Sequence, residues 1–469
     1  MENKSLQELL NARSSAVGAD EPAGERAQAG GRMTARRRIE TLFDAGSTTE
    51  FGMFSGRTAD GEWVATDGGV DFVGKVDGQP VVSSAADFMQ HGGGYGAGQA
   101  GRLCALAYQH RWPVVIFAEG GGSKAVVPGS SSGGLHRIGG PNGLPQGVFE
   151  GLAEVGGWVP TIAVVPGPSF AGHATMAAFC DVIIGVRGAS LGMGGPPMVE
   201  AAFGVRLEPI ELAPAEMHEA NGGIELLVDD EAAAIKVVRK YLSYWNDQEG
   251  GIAPEGADVL RTVVPESGPY DMHAVITALV DKDSLFEMRP RWTPSVITAL
   301  GRMDGRTVGI LANQPQATNG GAIDPDGADK IARFVQLCDS FAYPIVSLID
   351  TPGFVQPAGA DGSLKDGITR HHARPIRAQQ HRTSPLMAVQ IRKAYGLAAA
   401  AMMGVGNTRT SPEARLAWPT VELGSEDRYG AGFDEIIDPA DTRDRIVTAL
   451  SRIKRELPPN PRNQPRDAW

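Results

Sequence analysis

Basic charge is in short supply in this chain. Against 55 Asp and Glu stand only 43 Lys and Arg, for a formal net charge of -12. No basic excess is available to neutralise a phosphate backbone, which excludes nucleic acid as a general partner. A phosphorylated cofactor stays open, because it needs only a few local cations or backbone N–H groups. Cysteine is scarce too. Cys104, Cys180 and Cys338 lie far apart, form no CxxC pair and sit in apolar sequence, as expected of buried, reduced thiols in a cytoplasmic protein. The adjacent pair His371-His372 has Arg370, Arg374 and Arg377 around it instead of acids or cysteines, so no metal site is expected; it reads as a surface patch or a contact for a ligand's phosphates. Long apolar runs are missing as well. The most apolar stretch, Leu397 to Met403, is far short of the ~20 residues a membrane-spanning helix needs. The first residues, MENKSLQELLNARSS, carry charges where a signal peptide would be apolar. No membrane association is expected.

What is present in quantity is glycine, 61 residues, and proline, 32, in a chain of 469. That length is too great for one hydrophobic core and suits two domains. The chain repeats itself at a period of ~225–231 residues, too long for a solenoid and therefore a domain duplication. FVGKVDGQPVVSSAADF (72–88) has its counterpart in ALGRMDGRTVGILANQP (299–315), each a strand, an Asp-Gly turn and a strand. LCALAYQHRWPVVIFAEGGG (103–122) matches IARFVQLCDSFAYPIVSLIDTPGF (331–354): an amphipathic helix, a proline, a continuous apolar strand, then an acid and a Gly-rich turn. VPTIAVVPGPSFAGHATMAAF (159–179) matches SPLMAVQIRKAYGLAAAAMMG (384–404), a buried strand, a tight turn and a small-residue helix. The two halves should superpose with glycine on glycine at the turns, Gly121 over Gly353 and Gly172 over Gly396. Continuous apolar strands alternating with helices imply parallel βα units buried on both faces. The expected organisation is an N-terminal segment (1–32), a first domain (33–246), a Gly/Pro/acid-rich linker (247–268), a second domain (269–457) and a tail (458–469). A helix capped by Thr34 should carry Arg36, Arg37 and Arg38 on a solvated face, or against a ligand's phosphates or a neighbouring subunit.

Each repeat holds two strand-to-helix turns of small residues: Gly120-Gly121-Gly122-Ser123 and Phe170-Ala171-Gly172-His173 in the first, Thr351-Pro352-Gly353-Phe354 and Tyr395-Gly396-Leu397-Ala398 in the second. Small residues let backbone N–H groups approach a ligand, and a following helix adds its positive dipole end. Two N–H groups aimed at one oxygen form an oxyanion hole, suited to thioester enolate chemistry. His173 opens a predicted helix. There it reads either as a general base, kept neutral by the helix dipole, or as a histidine bonded to a nearby carbonyl.

The stretches GRMTARRRIETLFDAGS (31–47), PYDMHAVI (269–276), GRMDGRTVGILANQP (301–315), DKIARFVQLCDSFAYPIVSLIDTPGF (329–354), IRKAYGLA (391–398), LAWPT (416–420) and IIDPADTR (436–443) resemble the carboxyltransferase (β) subunits of acyl-CoA carboxylases, such as propionyl-CoA carboxylase. The resemblance implies two tandem crotonase-like (ClpP/crotonase, ββα-superhelix) α/β domains. It also implies a homo-oligomer, from dimer to hexamer, with active sites between the first domain of one subunit and the second domain of another. The implied substrate is a coenzyme A thioester, and the implied carboxyl donor is carboxybiotin on a separate carrier. The chain has no Met-Lys-Met biotin-attachment tripeptide, so a biotin carboxylase and carrier would be partner proteins. By the same resemblance the oxyanion pairs fall on Gly121-Gly122 and Leu397-Ala398. Gly94, Gly96, Ala171, Gly172, Gly353, Phe354 and Gly396 would line the substrate, and Arg36, Arg102 and Lys124 would meet the CoA.

The chain departs from the family pattern at several points. Leu397 stands where the turn usually has its middle glycine, Ala399-Ala400 replaces a Tyr-Asp pair, and VELGSEDRYGAG (421–432) shortens the passage from LAWPT to IIDPADTR. These departures keep a second function open: a biotin-independent acyl-CoA decarboxylase, hydratase, isomerase or hydrolase on the same scaffold, with His173 moving the proton. A non-catalytic scaffold subunit is a third.

Overall fold

The computed structural model describes residues 4–18, 31–53, 56–57, 63–64, 69–86, 88, 93, 99–121, 147–355, 366–404, 406, 411–422 and 432–459. Two units divide the chain, Met1–Ser243 and Tyr244–Trp469. Each is built on a seven-stranded sheet whose strands lie side by side in chain order. In the first these are β1 (Thr49–Phe51), β2 (Gly69–Val76), β3 (Gln79–Ala86), β4 (Val114–Phe117), β5 (Thr161–Val165), β6 (Val182–Val186) and β7 (Leu226–Val228). In the second they are β8 (Phe286–Met288), β9 (Val296–Met303), β10 (Arg306–Asn313), β11 (Ile345–Thr351), β12 (Leu386–Ala394), β13 (Ala414–Ala417) and β14 (Glu435–Ile436). Both sheets pair in the same sense: two antiparallel junctions, then four parallel ones. The expected duplication is present strand for strand.

Local chemistry explains the start of each sheet. Asp77-Gly78 and Asp304-Gly305 all have positive φ, 50°, 79°, 53° and 77°. That is the two-residue turn whose twist matches a hairpin, and Asp-Gly supplies it at low strain. It fixes the register of Val76 against Gln79 and of Met303 against Arg306. Downstream, β4, β5 and β6 are buried at every residue, as parallel strands covered on both faces must be. Their core includes Ile116, Leu152, Ala163 and Met176; the second unit's includes Ile310, Leu348, Val389 and Trp418. Asp324 caps the long helix Pro325–Ser340 by accepting from Gly327 N, with Pro325 opening the helix.

Two expectations are corrected. The stretch 247–268 is a built part of the second unit and not a linker. Asp247 accepts from Thr307 N (3.0 Å), and Leu260 and Val264 lie in the second core. Its glycines and prolines make turns, while those two apolar residues anchor it. The capped helix is Ala35–Leu42, with Thr34 accepting from Arg37 N as expected, but its arginines do not form one solvated face. Arg36 and Arg38 are buried and only Arg37 is exposed, because acids inside the unit draw them in.

Candidate active site

The functional geometry sits where the central strands end. In the first unit β4 runs through Ala118 and Glu119 to Gly120, whose N–H donates to Pro168 O (2.7 Å) and whose carbonyl accepts from Phe170 N (2.9 Å). The chain leaving β5 is thereby tied beside the end of β4, with Gly120 opposite Ser169. Ala171 follows with φ 51° and ψ -117°, and the helix Gly172–Phe179 starts at once without a side-chain cap. In the second unit β11 and β12 pair as far as Ile349 and Gln390, pass a β-bulge, and resume at Thr351 opposite Ala394. Gly396 then takes φ 59° and ψ -144°, and the helix Leu397–Met403 starts, again without a side-chain cap. The first N–H groups of a helix have no intrahelical acceptor. Each unit therefore presents such N–H groups at the carboxyl end of its parallel strands.

This pairing corrects the expected superposition, Gly121 on Gly353 and Gly172 on Gly396, by one residue at each turn. Gly120–Ser169 corresponds to Thr351–Ala394, so Gly121 falls on Pro352, Ala171 on Gly396, Gly172 on Leu397 and His173 on Ala398. Glycine had been matched with glycine, yet in the first copy an alanine adopts the conformation that glycine adopts in the second. The counterpart of Leu397-Ala398 is thus Gly172-His173. Positive φ strains any residue bearing a Cβ, by of order 1–3 kcal/mol. Ala171→Gly is expected to stabilise the first unit by about 1 kcal/mol, after allowing for glycine's greater freedom when unfolded. An unchanged or lowered urea midpoint would refute this.

The remaining expected residues fall as follows. Gly121 is exposed next to the bridge at Gly120, at the same sheet end as Ala171 and Gly172. In the second unit Gly353 (φ 126°) lies near Tyr395 O, which leads into Gly396, Leu397 and Ala398, whereas Phe354 is bridged to Ile323. Phe354 packs edge-on to His372 at 5.5 Å, Leu397 is 57% exposed and Ala398 is buried. His371, by contrast, is held by Asp329 at 2.9 Å. Arg36 and Arg102 lie against the edge strand β1: Arg36 pairs with Glu50 at 2.8 Å, and Arg102 lies over the Phe51 ring. Gly94, Gly96, Gly122 and Lys124 are outside the described residues.

His173 is fully buried. Burial lowers its pKa to about 4, against the opposing pull of a backbone hydrogen bond at Gly93, so the ring is neutral at ordinary pH. Sequence reasoning missed the carboxylates that immediately precede the turns, Glu119 and Asp350, each buried and paired with arginine. The signal was available, since an acid stands at the same place in both repeats. Among the described residues no group of three His, Cys, Asp or Glu side chains could hold a metal ion, and no helix is long and apolar enough to cross a membrane.

Comparison with known proteins agrees with this architecture. The family described as the carboxyl transferase domain matches residues 26–425. An uncharacterized carboxylase of Bacillus subtilis is 34% identical, over 84% of this chain and 77% of its own length. The methylmalonyl-CoA carboxyltransferase 12S subunit of Propionibacterium freudenreichii subsp. shermanii is 31% identical, over 92% of this chain and 91% of its own. The transcarboxylase 12S crystal structure, described as a hexamer with hydrolysed methylmalonyl-coenzyme A bound, superposes with a TM-score of 0.82 at 28% identity, covering 100% of this chain and 99% of that one. Two tandem crotonase-like domains, duplicated strand for strand and sharing sequence over nearly their whole length with these relatives, make the chain a member of the carboxyl transferase family of enzymes.

Proposed function

We propose that this protein transfers a carboxyl group between biotin and the α-carbon of a small acyl-CoA, in the cytoplasm. The observation that carries the reading is the repeated turn. Ala171 and Gly396 break the backbone at the same register in both units, and each opens a helix with no side-chain cap. Carboxyl transfer needs two oxyanion sites, one for the thioester enolate oxygen and one for the ureido carbonyl of biotin. Gly172-His173 and Leu397-Ala398 supply two pairs of helix-start N–H groups, with Gly121 at the same sheet end as the first. Carboxybiotin held on a separate carrier would supply the carboxyl group and, once that group is released, the ureido nitrogen that takes up the α-proton. The chain's own work is then to bind, orient and stabilise charge, with no side-chain base required. A buried His173 that stays neutral suits that division of labour.

One observation favours the biotin-free reading: Leu397 places an exposed side chain where the other unit has Gly172, narrowing whatever enters beside Ala398. The test is product formation from short acyl-CoAs and their carboxylated forms, with and without a carboxybiotin donor. Strict dependence on the donor, with His173→Ala retaining turnover, is the expected result. Turnover without donor, lost by about 10²–10⁴-fold in His173→Ala, would replace carboxyl transfer with the biotin-free reaction.

We further place the chain in a homo-oligomer. No residue of the helices Pro196–Phe203 and Pro209–Leu212 is buried. With Met193 and Met217 they expose Met198 and Phe203 at 65% and 76%. A cluster of this kind marks a surface that another molecule covers. It begins beside the first turn, where Ala171 N donates to Gly192 O and Met193 O. Met198→Asp with Phe203→Asp is expected to lower the assembly mass in light scattering; an unchanged mass would exclude this face from the interface.

A further inference from the structure

We infer that the buried carboxylates Glu119 and Asp350, each paired with arginine, are positioning residues that lock the strand end aiming the catalytic turn of their unit. In the second unit Asp350 lies within the bulge between Ile349 and Thr351. Its Oδ2 accepts from Arg392 Nε (2.8 Å) and from the Tyr270 hydroxyl (2.9 Å), and its Oδ1 accepts from Lys393 N (3.2 Å). Arg392 also donates to Pro265 O and Gly268 O (3.2 and 2.9 Å) and lies over the Tyr270 ring. Asp350 and Arg392 are both 2% exposed. The pair ties the end of β11 to the stretch of β12 that leads into Gly396.

The first unit reaches the same end by another route. Glu119 stands at the register position of Asp350, between Ala118, which donates to Val164 O, and Gly120, opposite Ser169. The position equivalent to Arg392 is Gly167. Its missing side chain leaves room: a Cβ there would lie 2.3 Å from Glu119 Oε1 and 2.5 Å from an Arg32 guanidinium nitrogen. Into that space come Arg32, paired with Glu119, and Arg38, which reaches Glu119 at 2.7 Å and Glu231 at 2.6 Å. The cation changes its origin, from strand β12 in one copy to the chain around the helix Ala35–Leu42 in the other. The carboxylate keeps its register position in both copies. A buried ion pair is a poor way to gain net stability, because desolvation offsets its attraction. A bulge beside an active site, however, serves to re-aim the chain, and a carboxylate bonded to strand, hydroxyl and guanidinium fixes that aim.

The kinetic part of the test rests on the carboxyl-transfer reading; the exchange part does not. Asp350→Asn alone would leave Arg392 as a buried unpaired charge, so the informative variant is Asp350→Asn with Arg392→Gln, which removes both charges. Amide hydrogen exchange at 351–354 and 395–398 is expected to accelerate about tenfold or more while the β9–β10 hairpin keeps its protection. The kcat for carboxyl transfer is expected to fall about 10²-fold, as displaced catalytic geometry does, with the KM for acyl-CoA nearly unchanged. Asp350→Glu, which keeps the charge, should recover most of the kcat. Turns that exchange as in the wild type, or exchange that rises equally through the whole unit, would overturn the inference. A wild-type chain with no carboxyl transfer would defeat the functional reading alone, and the exchange result would still decide the positioning role.

Discussion

Gly396→Val is expected to cut carboxyl transfer by about 10²–10³-fold, the loss that follows when an oxyanion donor is removed. At φ 59° and ψ -144° Gly396 sits where a β-branched residue is strongly disfavoured. No heavy atom lies within 4 Å of a Cβ built there, so the substitution acts through the backbone and not by collision. To relieve the strain the peptide entering the helix Leu397–Met403 must rotate, and the Leu397 and Ala398 N–H groups turn with it. The first unit provides the control. Ala171 holds a similar conformation, φ 51° and ψ -117°, so Gly396→Ala should be tolerated, with a loss below about tenfold. Steady-state kinetics at saturating acyl-CoA, with circular dichroism to verify folding, measures both. Equal losses in the two variants, or none in Gly396→Val, would remove the Gly396 turn from the chemistry.

That contrast also marks how far the sequence could be read. The Asp-Gly hairpins, the buried strands and the internal repeat were legible because turn chemistry and apolar periodicity are local signals, and both sheets follow them. The turns were legible in kind but off by one in register. The left-handed position falls on Ala171 in one copy and on Gly396 in the other, and nothing local announces an alanine at positive φ. Arg36 and Arg38 read as a solvated face because helical spacing does not reveal that Glu50, Glu119 and Glu231 lie inside the unit, up to 193 residues away along the chain. The same non-local pairing hid the role of Glu119, whose acid-before-glycine pattern was visible without its partners. Leu260 and Val264 had the wrong surroundings: a Gly/Pro-rich stretch looks like a linker until its few apolar residues find a core.

Two buried groups with opposite displacements should govern how the first unit responds to acid. His173 has its pKa lowered by burial to about 4 from an ordinary 6.5. Between those values the unfolded chain binds the proton and the folded one does not, so the stability this group confers is present above pH 6.5 and is lost as pH falls towards 4. The shift corresponds to about 3 kcal/mol at 1.36 kcal/mol per pKa unit. Asp71 is displaced the other way, to about 7 from 3.8, by burial above all, with a Ser84 hydrogen bond opposing and the Glu50 charge adding. Its contribution is complete below pH 3.8 and is lost as pH rises through 7. From pH 4 to 6.5 the two slopes oppose each other, and the wild-type unit should be nearly insensitive to pH on their account. Each substitution then uncovers the other group. His173→Leu should leave a first unit that is more stable at pH 4.5 than at pH 7, whereas Asp71→Asn should leave one that is more stable at pH 7 and weakens on acidification. Hydrogen exchange of β4 and β5 as a function of pH, compared with β11 and β12 in the same molecules, isolates the first unit from general acid effects. If both variants keep the wild-type profile, neither group is held in the protonation state that its burial imposes.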